Sequence, residues 1–486
     1  MSATAGKLAR LSAVYVLGDI LTRGAALLLL PFYTRLLTPD QYGIVGAAEM
    51  VKQVLLMLLP LGLTGAVNRF HHQLADDAAR RRAFGAMWLL LILGPLLATL
   101  ALDLWGRPLL AALFPSTPFD PYLRLAIWTA YLQSAFVLIP PVLLRAREQA
   151  GRYIAYNLGF FALTNSMILL LVGARGGGAA AYLGAQLIAS ALMAVIAVAF
   201  LLPAARPALA WGALAPMLAY SLPLVPHFLG HWALGLADRA IVERYAGLAA
   251  LGVYTLAFQI GAVAQVALTA GSNALLPTFA RAARDPAELA RLPRAATYYA
   301  LAAAALVLAL ALAAADIVRL ATPPAYHGAA PLAVVLVVAA LPLGLYYLPM
   351  SALAQTAGRT AEVPLLTLVA AAVNIGLNLL LVPRFGAMGA AVAAVAGYAA
   401  LLALVALLAR RVAPVAFEYG RVARILLAFG ASLALGLAGL RLGPLANLLL
   451  VPPLLLLLPL ALTLLGFWRP GELAALRSLA PLPARR

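Results

Sequence analysis

The sequence predicts an all-α polytopic integral membrane protein of about 14 transmembrane helices, built as two parallel six-helix bundles facing a central cavity, with two further helices appended. Three observations predict it. Apolar residues make up 65% of the 486 and charged residues only 10%, against about 45–50% and about 25% in soluble domains. Apolar stretches of the roughly 20 residues that a bilayer crossing needs recur along the whole chain. Scarce residues repeat at one fixed offset.

The predicted spans are 11–35, 41–64, 84–102, 122–144, 154–173, 179–202, 214–236, 249–273, 296–320, 328–355, 362–382, 387–409, 422–440 and 444–467. Pro, Gly and Arg separate them. A membrane barrel would show ten-residue alternating segments, whereas LLLILGPLLATLAL is apolar on every side, so the spans are helices. The first span is long, carries charge and lacks a small-residue cleavage site, so it is expected to be retained rather than removed as a signal peptide. With no cysteine, disulfides and thiolate metal sites are excluded.

The net charge of +18 suggests nucleic acid until the cations are placed against the spans. With the N-terminus inside, 23 of the 34 Lys and Arg fall on cytoplasmic segments, among them Arg80, Arg81 and Arg82, nine fall on the other face, and Arg23 and Lys52 lie within spans. That asymmetry is the positive-inside pattern. It predicts a multi-pass protein with both termini cytoplasmic and no nucleic-acid partner. The cytoplasmic run from Phe279 to Arg294 reads as a short interfacial helix, and His71 with His72 as solvated loop residues.

At an offset of 209, Arg35 matches Arg244, Gly43 matches Gly252, Gly62 matches Gly271, Phe70 matches Phe279, Asn165 matches Asn374, Arg175 matches Arg384 and Gly177 matches Gly386. Six spans per copy return the chain to its starting side, so the copies are parallel, related by an axis along the membrane normal. The predicted division is 1–210, a six-helix lobe; 211–412, its repeat; and 413–486, spans 13 and 14 with a cytoplasmic tail. Substrate in such proteins sits between the lobes, and rocking gives alternating access.

Span 1 carries Asp19 and Arg23, and span 2 carries Glu49 and Lys52, each pair on one helical face. A charge at a helix centre costs about 2.5–3.5 kcal/mol on insertion scales, so all four must face each other or water. At 1.5 Å per residue, Arg23 lies about 18 Å from the inner end of span 1 and Lys52 about 17 Å from the outer end of span 2. Both cations come out near mid-bilayer. Two readings stand: the pairs neutralise each other and fasten span 1 to span 2, or Arg23 and Lys52 offer positive charge to an anionic group, with Asp19 and Glu49 as their charge partners. His227 and His231 in span 7 predict a polar cavity wall; a zinc site there lacks a third ligand, and no metal or cofactor is expected. Asn374 and Asn378 in span 11 read as helix-to-helix hydrogen bonding, or as a cation-coupling site completed by Asp238.

PFYTRLLTPDQYGIVGAAEMV (Pro31 to Val51), LGLTGAVNRF (Leu61 to Phe70), LADRAIVERYAGLAALGVYTLAFQI (Leu236 to Ile260), LLPTFAR (Leu275 to Arg281) and NLLLVPRFGAMGAAVAAVAGY (Asn378 to Tyr398) resemble the Wzx-type polysaccharide repeat-unit flippases of the multidrug/oligosaccharidyl-lipid/polysaccharide (MOP) exporter superfamily. The resemblance implies translocation of an undecaprenyl-diphosphate-linked oligosaccharide from the cytoplasmic to the periplasmic leaflet of a bacterial inner membrane, for O-antigen, capsule or exopolysaccharide biosynthesis. It also implies polysaccharide assembly proteins as partners and a coupling proton, sodium ion or membrane potential. Arg23 and Lys52 match in position the basic cavity residues of lipid II flippases in that superfamily. Asn374 and Asn378 match its sodium site in place, but Asn378 stands where an acid is commoner. Competing readings are a drug or cation antiporter or a lipid II flippase of the same superfamily. A membrane glycosyltransferase or polymer ligase would want carboxylates and large outer loops, whereas the longest outer loop, Asp103 to Pro121, is under about 20 residues and Asp103 and Asp120 form no recognisable motif.

Overall fold

The computed structural model describes residues 28–74, 76–203, 205, 210–222, 225, 230, 235–359, 362–440 and 442–472. Among them the chain forms helices and no strand. In order these are α1 (Pro39–Leu58), α2 (Leu63–Gln73), α3 (Asp77–Trp105), α4 (Arg107–Leu113), α5 (Phe119–Ala146), α6 (Ala150–Arg175), α7 (Gly178–Leu201) and α8 (Trp211–Ser221). There follow α9 (Asp238–Ala282), α10 (Pro286–Ala321), α11 (Ala329–Ser351), α12 (Val363–Phe385), α13 (Ala387–Val412), α14 (Tyr419–Gly439), α15 (Pro444–Leu454) and α16 (Leu457–Leu464).

Among the described residues, 11 helices are long and apolar enough to cross a membrane, fewer than the 14 expected. Most of span 1 and much of span 7 lie outside the described residues. Span 2 is not among the 11. Its helix, α1, carries Asp40, Glu49 and Lys52 and stops at Leu58, because Leu61 (φ 51°) and Gly62 (φ 70°) turn the backbone left-handed before α2 begins. Gly62 is required there, since a Cβ would lie 2.8 Å from the Ser221 carbonyl oxygen. The expected interfacial helix over 279–294 is also absent as a separate element: α9 runs to Ala282 and α10 starts at Pro286. His71 belongs to α2 and stacks on Phe84, ring centroids 6.1 Å apart, rather than standing in a solvated loop.

Local chemistry explains the termini. Thr38 caps α1 while Gln41 reaches back to the Thr38 N–H, and Pro39 opens the first turn. At about 1.5 Å per residue a straight α9 would run about 67 Å, twice the hydrocarbon thickness. It breaks at Gly247 (φ 84°, ψ 177°). The Tyr254 hydroxyl donates to Asp238, 16 residues earlier, so the stretch before the break folds back beside the stretch after it.

The chain divides into two compact units, one drawn from Met1–Gln259, Ala321–Leu332 and Val363–Gly397, the other from Ile260–Leu320, Ala333–Glu362 and Tyr398–Arg486. In the first, α3 buries Phe84, Met87, Trp88 and Leu91 against Leu63 and Val67 of α2, Ile139 and Leu143 of α5 and Met217 of α8. Its opposite face exposes Leu93, Leu97, Leu100 and Leu104, an apolar stripe that lipid covers.

The closest approach in this unit is between α1 and α9. A Cβ on Gly43 would lie 2.0 Å from the Leu248 carbonyl oxygen, one on Gly252 would lie 2.0 Å from the Pro39 carbonyl oxygen, and one on Gly46 would lie 2.5 Å from the Thr255 hydroxyl oxygen. Pro39 and Leu248, Gly43 and Gly252, and Gly46 and Thr255 are each 209 apart. Exchanging the two helices therefore maps the contact onto itself, a local two-fold relation.

In the second unit Arg421, buried at the start of α14, bridges Glu418 at 3.0 Å and Glu472 at 2.8 Å. Arg294 lies 3.4 Å from Glu472, and the Thr297 hydroxyl donates to Glu418 at 2.7 Å. This knot ties α14 and the chain after α16 to α10. Burial alone would push the Glu472 carboxyl up, but hydrogen bonds from the Arg469 N–H, the Tyr298 hydroxyl and the Arg421 guanidinium hold it below the usual carboxylate range.

Two outcomes are expected. Gly43→Ala and Gly252→Ala each lower stability by about 1–3 kcal/mol because a backbone oxygen cannot move aside, whereas Gly159→Ala, with nothing within 4 Å, raises it by about 0.5–1 kcal/mol; thermal unfolding in detergent reads both, and a neutral Gly43→Ala would refute the contact. Because the Glu472 value is depressed on folding, its contribution is full above its ordinary value near about 4.3 and is lost as pH falls through the lower folded value. Glu472→Gln should therefore be less stable at neutral pH and lose less stability on acidification, as unfolding temperatures measured from pH 7 to 3.5 will show.

Candidate functional site

Lys52 lies on the buried side of α1, three residues after Glu49. Its ammonium donates to Glu49 Oε1 at 2.7 Å and to Gln186 Oε1 of α7 at 2.8 Å, and Gln186 Nε2 donates to the same Glu49 oxygen at 2.6 Å. The three groups close a triangle across two helices. Lys52 is 9% exposed, so the ammonium is neutralised by one carboxylate and solvated by one amide in place of water. Asp19 and Arg23, the expected companions, lie outside the described residues, as do His227 and His231.

Gln186 was not legible as a site residue, yet its signal was present. Tyr182, Gln186 and Ser190 stand four apart on one face of an otherwise apolar α7. Ser190 accepts from Gln133 Nε2 of α5 at 3.0 Å, and Tyr182 meets Tyr33 edge-on at 5.5 Å between centroids. The Tyr33 hydroxyl in turn donates to Asn165 of α6. A continuous polar seam thus runs through helices whose other faces are apolar. Polar groups at such depth are expensive unless paired, and they mark solute paths by default.

Asp238, expected to complete a cation site, is otherwise engaged. It accepts from the Tyr254 hydroxyl, and its other oxygen lies 3.9 Å from Arg239, whose guanidinium stacks 4.2 Å from the Phe258 ring centroid. Asn374 Nδ2 donates to the Ala393 carbonyl of α13 at 3.0 Å, a contact that Gly397 permits because a Cβ there would lie 2.8 Å from that of Asn374. Asn378 Nδ2 donates back to the Asn374 carbonyl at 2.9 Å. Among the described residues no hydrogen bond or ion pair joins Asp238 to either asparagine. The Asn374 amide joins α12 to α13, the first of the two expected uses.

A second set of contacts closes one end of the α1–α9 crossing. Glu243 Oε1 accepts from the Ser116 N–H at 2.9 Å and the Thr117 hydroxyl at 3.1 Å; Arg244 donates to the Ala112 carbonyl at 3.0 Å. The Tyr326 hydroxyl donates to the Leu37 carbonyl at 2.8 Å. Thr117 and Tyr326 are themselves 209 apart. An apolar recess of about 400 Å³ lies at this end, lined by Pro39, Ala250, Val253, Gly328 and Met388 among others, and it contains none of the charged groups above.

Residues 32–331, more than half of the chain, match the family model described as "Polysaccharide biosynthesis protein". No curated protein matches the sequence. Among solved structures, the lipid II flippase MurJ in an inward closed conformation is similar with a TM-score of 0.71 at 13% identity, over 92% of this chain and 98% of that one. An inward-facing multidrug resistance MATE family transporter of the MOP superfamily gives 0.60 at 15% identity, over 81% and 97%. A variant of the Vibrio cholerae MATE transporter VcmN gives 0.57 at 17%, over 84% and 97%. At these identities the likeness establishes the fold. The chain belongs to the polysaccharide biosynthesis protein family and is a polytopic membrane protein with the fold shared by MurJ and the MATE transporters of the MOP superfamily.

Proposed function

We propose that the protein is a flippase for polyprenyl-diphosphate-linked oligosaccharides, moving them from the cytoplasmic to the periplasmic leaflet of a bacterial inner membrane by alternating access between lobes 1–210 and 211–412. The observation that carries this reading is the buried Lys52. A lysine nitrogen held mid-helix by a carboxylate and an amide is oriented before any ligand arrives. A diphosphate bears about two negative charges and can replace Glu49 as the counter-ion, with charge-assisted hydrogen bonds that a neutral solute would not form. The family description supports a substrate from polysaccharide assembly. The contact between α1 and α9 that maps onto itself supports two lobes related by an axis along the membrane normal.

A cationic-drug antiporter would require a free cavity carboxylate. Glu49 is committed to Lys52 and Gln186, which favours the anionic solute.

Reconstitution with fluorescent lipid-linked oligosaccharides, followed by an impermeant quencher, tests the reading. Flipping is expected to accelerate over empty vesicles; no acceleration with several glycans, under an applied potential or ion gradient, would defeat it. Lys52→Ala and Arg23→Ala should abolish flipping without loss of folded protein. Glu49→Gln leaves Lys52 buried without its counter-charge and should reduce folded yield, with a penalty of about 3–5 kcal/mol. Glu49→Gln combined with Lys52→Gln should recover the yield but not the transport; recovered transport would reduce the pair to a structural fastening.

A further inference from the structure

Glu243 is 0% exposed. Its Oε1 accepts from both the Ser116 N–H and the Thr117 hydroxyl, while its Oε2 is buried with no hydrogen-bond partner among the described residues. Buried polar groups are ordinarily paired. The contact that satisfies one carboxylate oxygen therefore leaves the other without water or donor.

Every contact around it joins residues 1–210 to residues 211–412. Glu243 holds Ser116 and Thr117, Arg244 holds the Ala112 carbonyl, and Tyr326 holds the Leu37 carbonyl while meeting Tyr42 edge-on at 6.0 Å between centroids. All of these residues belong to one compact unit. They make two clasps from matching loops: Thr117 and Tyr326 are 209 apart, and so are Glu243 and Thr34, which lies three residues before Leu37. Both clasps precede the α1–α9 crossing, since Glu243 lies five residues before Leu248 and Leu37 lies two before Pro39. Glu49 and Lys52 come after it, six and nine residues beyond Gly43. Clasps and touching glycines thus stand at one end of α1 and α9, with the Glu49–Lys52–Gln186 triangle past them. That end carries Arg107 and Arg244, among the nine cations that the charge asymmetry puts on the outer face.

We propose that Glu243 is the latch of the outer gate: its Oε1 holds that end shut while solute enters from the cytoplasmic side, and hydration of its Oε2 drives the release. An open gate returns both oxygens to water and removes the desolvation cost of the closed one. The Tyr326 clasp, a phenol on a carbonyl, has no charge to hydrate, so the two clasps differ in what opens them. The proposal rests on the alternating access of the flippase reading and adds the residues that must part.

The chain has no cysteine, so an introduced thiol reports alone. Thr255→Cys places one in the crossing, against Gly46. Its labelling by an impermeant methanethiosulfonate in spheroplasts, whose medium meets the outer face, reads opening without any substrate. Added to that variant, Glu243→Ala should speed labelling about two- to tenfold, the range of one net hydrogen bond. Glu243→Gln, which keeps an acceptor for Ser116 and Thr117 but has no charge to hydrate, should slow it. Unchanged labelling with Glu243→Ala would refute the latch, and unchanged labelling with Glu243→Gln would refute release by hydration. Where Glu243→Ala does not fold, cross-linking decides. Thr117→Cys with Glu243→Cys, joined by a short bis-methanethiosulfonate, should stop the flipping of fluorescent lipid-linked oligosaccharide, and reductant should restore it. Flipping that continues through the cross-linked protein would overturn the gate and leave the flippase reading standing. A wild type that flips nothing while the labelling pattern holds would bring down the flippase reading and leave the latch in place.

Discussion

Two helix backbones touch at Gly43 and Gly252, and the polar interior is laid out from that contact. In lipid there is no hydrophobic force to press α1 against α9, so close van der Waals packing must do it, and only residues without a Cβ let the carbonyl oxygens of Pro39 and Leu248 approach as they do. Once the crossing is fixed, everything on either helix has a set depth. Glu49 and Lys52 follow about 1.7 and 2.5 turns beyond it on α1, Phe258 at the place on α9 that matches Glu49, and Gln186 of α7 bonds to both Glu49 and Lys52. A methyl group at the crossing would shift the whole polar seam, not one contact.

Electroneutrality does the rest. No charge described within this seam stands far from an opposite one: Lys52 has Glu49, and Arg239 has Asp238. The two pairs differ in how well they are closed. Lys52 has two acceptors, and the Glu49 oxygen is bonded by both Lys52 and Gln186. The Arg239 Nη1 has no hydrogen-bond partner among the described residues, which is costly in low dielectric. Glu243, which joins the 238–246 stretch to the loop before α5, uses neutral donors instead, and Arg244 beside it donates to a backbone carbonyl rather than to a carboxylate.

Composition made the membrane class plain, and the repeat was readable because Arg, Asn and Gly are scarce in an Ala and Leu background. The pairing of Glu49 with Lys52 followed from spacing alone. What the sequence hid was whatever depends on a partner far along the chain. Gln186 looks like one polar residue in an apolar helix until α7 is placed beside α1. The break at Leu61 and Gly62 was hidden because a glycine in a membrane helix can be a packing contact as well as a turn, and its counterpart Gly271 does lie within the continuous stretch of α9 after Gly247. The matched asparagines show the limit of a repeat as evidence for function: Asn374 bonds across to α13, whereas Asn165 accepts from Tyr33. The matched position holds the same residue with a different partner.

That divergence bears on how a duplicated scaffold comes to hold an unsymmetrical solute. A strict two-fold would place identical groups on both flanks, and the proposed solute, a lipid diphosphate with sugar at one end and prenyl chain at the other, has no such symmetry. Here the backbone contact keeps the two-fold while the side chains at matching positions do not: Glu49, bonded to Lys52 and Gln186, has Phe258 as its counterpart, so a carboxylate on one helix corresponds to an aromatic ring on the other. An ionic group six residues past the crossing on one helix only gives the two flanks different chemistry on one backbone geometry, which an unsymmetrical solute requires.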